Sequence, residues 1–322
     1  MIKMILRRFL ILIPQLVIIS IIAFILGAMM PGDALSGMID SGLSEEARQE
    51  QRAKLGLDKP LPARYVGWAG GILQGDFGQS FAHRRAVSEL IRERAANSFS
   101  LALLTLVLTY GIAIPLGVLA GRFSGSFVDK GVLLYVFVAL AMPTMVLGIF
   151  MIMTFAFGLG WFPPRGSVDA IVLAEGAWWE ILLSRLHRLI LPTSTAAIVG
   201  TVGIIFMLRA NIIERKHADH ATFARAKGVP EGAVFRRHVF RNSLIPVAAG
   251  LGFAISGLLT GQLFIEQIFH YPGMGSLFFS AVRAQDFAVA NAVILIFAAL
   301  SALGMMLSDI FVMLADPRVR VV

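Results

Sequence analysis

The stretch Ser98-Phe-Ser-Leu-Ala-Leu-Leu-Thr-Leu-Val-Leu-Thr-Tyr-Gly-Ile-Ala-Ile-Pro-Leu-Gly-Val-Leu-Ala120 carries no charged side chain. As a helix it is long enough to bridge the hydrocarbon core of a bilayer, which takes about 20 apolar residues. Working outward, the runs Phe9 to Met30, Gly131 to Phe157, Leu189 to Leu208, Leu244 to Phe264 and Phe287 to Leu314 read the same way. Composition agrees: 57% of residues are hydrophobic and 15% charged, against roughly 25% charged in soluble domains. The expected fold is all-α, a polytopic membrane bundle of about six transmembrane helices. Pro14, Pro115 and Pro143 fall inside these runs. They are expected to mark kinks and nothing sharper, because neighbouring helices can satisfy the backbone groups that proline frees.

Charge placement orients the bundle. A net charge of +8 and a pI near 10.3 would raise the question of nucleic acid in a soluble protein, but here topology explains them and no nucleic-acid partner is expected. With the N-terminus inside, the cytoplasmic segments, counted with Asp309 near the end of the last span, hold 15 basic against 6 acidic residues and the external segments 13 against 14, as the positive-inside rule requires. Both termini are then cytoplasmic. Lys3, Arg7 and Arg8 before Phe9 to Met30 resemble the start of a signal peptide. That run is too long, and no small-residue cleavage site follows, so a retained first span is expected. The organisation that results is a first transmembrane helix (1–30), an extracytoplasmic cap (31–97) and a core transmembrane domain (98–322), with a basic cytoplasmic loop at 209–243. There is no cysteine, which removes disulfides, thiolate metal sites and cysteine nucleophiles.

Within the cytoplasmic loop, Ala218-Asp-His-Ala-Thr-Phe-Ala-Arg-Ala-Lys-Gly228 predicts a short helix with an acidic start, a basic end and a left-handed glycine terminator. Val229-Pro230-Glu231 starts a second helix, which carries Phe235, Val239 and Phe240 among Arg236, Arg237, His238 and Arg241 as far as Pro246. A short helix bearing alanines can press into a groove of another protein, with Arg225 and Lys227 supplying directional charge. A basic loop shaped only by topology and anionic lipid has the same spacing.

The string from Asp219 to Gly228, followed by Arg237-His-Val-Phe-Arg-Asn-Ser-Leu-Ile-Pro246, resembles the EAA loop of ATP-binding-cassette importer permeases of the dipeptide, oligopeptide and nickel branch. It departs from the general importer pattern at Thr222, where the eponymous glutamate stands, and at Phe223, where the first alanine stands. Leu6-Arg-Arg-Phe-Leu-Ile-Leu-Ile-Pro14 and Met30-Pro-Gly-Asp33 are similar to that family's opening helix. Leu55-Gly-Leu-Asp-Lys-Pro-Leu-Pro-Ala-Arg-Tyr65 and Gly75-Asp-Phe-Gly-Gln-Ser80 are similar to its cap. Ile265-Glu-Gln-Ile-Phe-His-Tyr-Pro-Gly-Met-Gly275, Asp286 and Asp316-Pro-Arg318 are similar to its last external loop and tail.

The resemblance implies a type I importer fold and a permease that moves dipeptides or oligopeptides by alternating access. Its implied partners are a second, unlike permease, two ATPase subunits that bind ATP and Mg, and an extracytoplasmic solute-binding protein. It places ATPase coupling on Asp219, His220, Thr222, Phe223, Ala224, Arg225, Ala226, Lys227, Gly228, Arg237 and Arg241. It places an outer gate or binding-protein contact on Glu266, Tyr271, Pro272, Gly273 and Gly275. No catalytic residue, metal or cofactor is expected on this chain. Independently, the sequence has no phosphate-binding Gly-x-x-x-x-Gly-Lys-Ser/Thr loop, no His-Glu-x-x-His and no Gly-x-Ser-x-Gly.

The alternatives are a permease of the same build for nickel or another small solute, and an unrelated channel or secondary carrier. His217 and His220 share a helix face but read as interface or solvent residues. His83, His187 and His270 are scattered. Asp309 is the one carboxylate inside a predicted span, near its end, where a carrier would be expected to hold more at mid-membrane. Trp161-Phe-Pro-Pro164 and Trp178-Trp179 read as interface anchors.

Overall fold

The computed structural model describes residues 2–29, 59–256 and 262–315. Among these, every regular element is helical. Helix α1 is Ile2–Met29, α2 Leu61–Leu73, α3 Val87–Arg122, α4 Phe127–Ala141, and α5 Thr144–Met151, which continues into a π-helical turn at Ile152–Gly158. Then come α6 Ala170–Glu175, α7 Trp178–Lys216, α8 Asp219–Ala226, and α9 Glu231–Val234, which runs on through π-helical Phe235–Phe240 to Arg241–Ser243. Last are α10 Ile245–Ser256, α11 Leu263–Ile268, α12 Met274–Arg283 and α13 Phe287–Ala315.

Four of these helices are long and apolar enough to cross a membrane, in the stretches Leu10–Met29, Val87–Arg122, Trp178–Lys216 and Phe287–Phe311; they become five when the bent pair α4 and α5 counts as one crossing. The stretch predicted at Leu244 to Phe264 is represented by α10 and by α11, and residues 257–261 lie outside the described ones. The motifs Met30 to Asp33 and Leu55 to Asp58, and the tail motif Asp316 to Arg318, also lie outside them.

Three expectations need correction. At Pro143 the chain does not merely kink: α4 and the α5 segment meet at 100°. Pro143 has no N–H to continue α4 and drives Met142 out of the helical region, to φ −93° and ψ 114°. Pro14 and Pro115, by contrast, sit inside unbroken helices. The second span begins at Val87, not Ser98, so the loop before it is shorter than the sequence suggested. Finally α7 extends from Trp178 to Lys216, past both ends of the apolar run, because its polar flanks are still good helix formers. Its start is held by Glu180, whose side chain accepts from the Ala177 N–H at 2.8 Å.

The chain divides into two compact units. The first comprises residues 1–98, 259–263 and 272–302. Its core gathers Val87 and Leu90 with Met274, Leu277, Ala281, Val289 and Val293. The loop ahead of α3 is built by turns: Gly75 and Gly78 both take φ +82°, and the Asp76 carboxylate accepts from the Gly78 N–H at 2.9 Å. Ser80 then donates to buried Asp286 at 2.5 Å, and the Ala82 N–H donates to the same oxygen at 3.2 Å. Ser80, at the end of the Gly75 to Ser80 motif, and Asp286 are therefore two halves of one clasp at the start of α13.

The second unit comprises residues 99–258, 264–271 and 303–322. Its helices α3 and α7 approach closely through glycine. A Cβ on Gly117 would meet Leu208 at 3.1 Å, and one on Gly121 would meet Ile212 at 2.7 Å. Ala113, Val136, Val202 and Ile205 pack where α3, α4 and α7 converge. Arg209 on α7 grips Asp129 on α4 with both prongs, Nε to Oδ1 at 2.6 Å and Nη2 to Oδ2 at 2.8 Å. Outward, Leu134, Phe137, Leu140, Ile149 and Phe150 remain exposed, an apolar surface suited to lipid or to another membrane subunit.

Candidate functional site

Helix α7 ends at Lys216, and the chain turns through His217 and Ala218 into α8. Asp219 occupies the first turn, where its charge complements the helix dipole. The other end closes as a Schellman motif. The Gly228 N–H reaches the Arg225 carbonyl at 2.9 Å, the Val229 N–H reaches the Ala224 carbonyl at 3.2 Å, and Gly228 takes φ +76°. A left-handed residue is required there, as the sequence predicted. Pro230 then caps α9.

The two faces of α8 differ. Ala221 and Ala224 are buried against Leu208, Ile212, Val234, Phe235, Val239 and Val247. The alanines that the sequence suggested would press into a partner thus face the chain's own core, where small side chains let α8 lie close. Asp219, Thr222, Phe223 and Ala226 occupy the opposite face and are exposed, with Phe223 at 69%. Lys227, Gly228, Arg237 and Arg241 are exposed beside it. His220 is half-buried, its ring nitrogen 3.4 Å from the Asn242 side-chain amide.

Arg225 holds the hairpin together from within. Its Nε and Nη2 donate to the two Glu231 oxygens at 2.9 and 3.0 Å, and its Nη1 donates to the Lys216 carbonyl at 2.8 Å. The Arg225 guanidinium holds the Glu231 carboxyl below the usual carboxylate range, so the pair stays ionised at neutral pH. Lys216 in turn donates through Nζ to the Arg122 carbonyl at the end of α3 at 2.9 Å. A displacement of α8 is thereby tied to the ends of two long helices. The sequence offered Arg225 as a charge for a partner, and its strap to Glu231 was not legible because the two residues belong to different helices.

The residues expected to form the last external loop are interior. Glu266 and Tyr271 are buried in the second unit. Burial, opposed by Arg185 and reinforced by Glu266, pushes the Tyr271 hydroxyl up to about 12. The Tyr271 N–H donates to the Glu266 carbonyl at 2.8 Å. Gly273 and Gly275 are buried and Pro272 half-buried in the first unit, where Asn97 donates to the Pro272 carbonyl at 2.9 Å and Ser98 accepts from the Met274 N–H at 2.7 Å. Among the described residues no group of three or more His, Asp or Glu side chains could hold a metal.

Comparison with known proteins completes the picture. Residues 113–321 match the family described as binding-protein-dependent transport system inner membrane component, and residues 1–102 match its N-terminal region. The chain is 35% identical over 317 residues to the oligopeptide transport system permease protein AppB of Bacillus subtilis (strain 168), covering 98% of each. It is 34% identical over 320 residues to a putative peptide transport system permease protein of Brucella abortus (strain 2308), covering 99% of each. It is 32% identical over 335 residues to the di/tripeptide transport system permease protein DppB of Pseudomonas aeruginosa (strain UCBPP-PA14), covering 99% of each. A helical chain with this apolar surface, matched along nearly its whole length, belongs to the inner membrane components of binding-protein-dependent transport systems.

Proposed function

We propose that this chain is one of two unlike permeases in an importer that carries dipeptides or oligopeptides into the cytoplasm. An extracytoplasmic solute-binding protein delivers the peptide, and two ATPase subunits, which hold the ATP and magnesium, dock on the cytoplasmic hairpin. The peptide class is supported by relatives named as oligopeptide and di/tripeptide permeases over 98% or more of this chain. Six spans with both termini cytoplasmic complete the reading, with the apolar run that contains α10 as the fifth.

The observation that carries the coupling assignment is the two-faced helix α8, which is fastened internally by Ala221, Ala224 and Arg225 and bare along Asp219, Thr222, Phe223 and Ala226. An apolar ring at 69% exposure on a short cytoplasmic helix is the kind of anchor that a partner's pocket accepts. The fastened face passes the motion into α7 and α3, and these rock the spans between outward-open and inward-open states. Glu266, Tyr271, Pro272, Gly273 and Gly275 shape the outer gate from within, since their burial suits packing better than direct contact with the binding protein.

Phe223→Asp tests this. The change removes little internal packing, so the permease should insert and fold as before while co-purification of the ATPases falls by at least tenfold and binding-protein-dependent peptide uptake is lost. Normal ATPase retention and uptake in Phe223→Asp membranes would sink the assignment of this face.

A further inference from the structure

Beside the hairpin, at the end of α3, lies a second site. Val118, Arg122, Gly232, Phe235, Arg236 and Phe240 bound a crevice of about 430 Å³. Its wall is aromatic, with the Phe235 and Phe240 rings stacked at 6.5 Å and 17°. Its rim is cationic: the Arg122 guanidinium stands 4.9 Å over the Phe235 ring, and Arg236 is exposed. Neither arginine forms a salt bridge among the described residues, and the neighbouring Glu231 carboxylate is taken by Arg225.

The surroundings indicate what kind of molecule would fill it. The turn after α3 exposes Phe123, Phe127 and Val128, with Phe127 at 90%. Cations lie over both rings, Arg122 at 5.3 Å from Phe123 and Lys130 at 5.6 Å from Phe127. Apolar side chains flanked by cations at the end of a span belong in the headgroup layer, where the rings enter the acyl boundary and the charges meet phosphate. Val118 sits one turn back inside the span, so the crevice has an apolar side chain on the side nearer the middle of α3. A lipid finds both of its halves matched, its phosphate by the cationic rim and its acyl carbons by the aromatic wall.

We propose that this crevice holds an anionic phospholipid of the cytoplasmic leaflet, with its phosphate on Arg122 and Arg236 and the first carbons of its acyl chain against Val118 and Phe240. The leaflet rests on the cytoplasmic placement of the hairpin proposed above. Because Phe235 also packs beneath Ala221 and Ala224, the bound lipid braces the wall on which α8 lies. Membrane charge then sets how stiffly the hairpin transmits motion.

The complete transporter, exchanged into nanodiscs of phosphatidylcholine and phosphatidylglycerol and then analysed by native mass spectrometry, tests the site. Phosphatidylglycerol should be retained preferentially. The preference should fall roughly fivefold in Arg236→Gln, which keeps the Arg122 stacking contact, and roughly twenty-five-fold when Arg122→Gln is added, from the usual contribution of one basic residue near an anionic surface. Lysine at both positions should keep it. Unchanged lipid retention in the double variant overturns the proposal. So does loss of ATPase co-purification with lipid retention intact, which would make the crevice a protein-docking site, and so does displacement of the lipid by inorganic phosphate alone, which would make it a free-anion site. Separately, Ser124→Cys, the only thiol in such a chain, should react with a membrane-impermeant maleimide in inverted vesicles. Labelling in intact spheroplasts instead overturns the leaflet assignment, whatever the lipid retention.

Discussion

Gly228 carries a consequence out of proportion to its size. It holds φ +76°, yet a Cβ there would meet nothing within 4 Å. Substitution therefore costs backbone strain alone, about 1–2 kcal/mol for a side chain forced into the left-handed region. Gly228→Val should loosen the turn between α8 and α9, lowering peptide uptake and substrate-stimulated ATP hydrolysis severalfold with unchanged amounts of permease in the membrane. Gly228→Asn, which tolerates that conformation, should retain most of both. Normal stimulation in the valine variant would remove the turn from the coupling pathway. The glycine was legible in the sequence because a left-handed terminator is a local requirement. The division of labour among its neighbours was not, since Arg225 and Lys227 differ only in what lies across the hairpin: Glu231 and the Lys216 carbonyl for one, solvent for the other.

At the scale of the elements, the proposed coupling depends on the two long helices to whose ends the hairpin is tied. The contact of α3 with α7 is set by glycine, with the position of a Gly121 Cβ 2.7 Å from Ile212 Cβ and 3.1 Å from the Arg209 carbonyl. Gly121→Val must push the two helices apart, at a cost of about 1–3 kcal/mol for an overpacked contact. The variant should show a lowered melting temperature of the detergent-solubilised permease and a weakened Lys216 to Arg122 clasp. An unshifted melting temperature would mean that these helices do not need their close approach. Hydropathy located both helices but misjudged their ends, because polar turns at Val87 and Lys216 extend a helix without adding to an apolar window. It also read Gly131 to Phe157 as one path, since hydropathy reports length and carries no information about direction across Pro143.

For the whole molecule, topology is the testable quantity, and the absence of native cysteine makes the test clean. Single cysteines at Lys227 and at Gly166 should label from opposite sides of the membrane, the first only in inverted vesicles and the second only from outside. Labelling of both from one side would contradict α7 crossing the membrane between them. The family was legible from the Asp219 to Pro246 string and from its companions at Leu55 to Ser80 and Ile265 to Gly275, and the family matches over 1–102 and 113–321 bear that reading out.

By itself the sequence determined that the chain is a helical membrane protein of this family, because apolar length, charge asymmetry and turn chemistry act through neighbours along the chain. Only the tertiary structure decided which face of α8 is free, that Arg225 is an internal strap, that Asp286 clasps Ser80, and that arginines from two separate helices share one aromatic crevice. Each of these depends on residues brought together across long stretches of chain, and periodicity fixes how a helix presents its faces without fixing what stands opposite them.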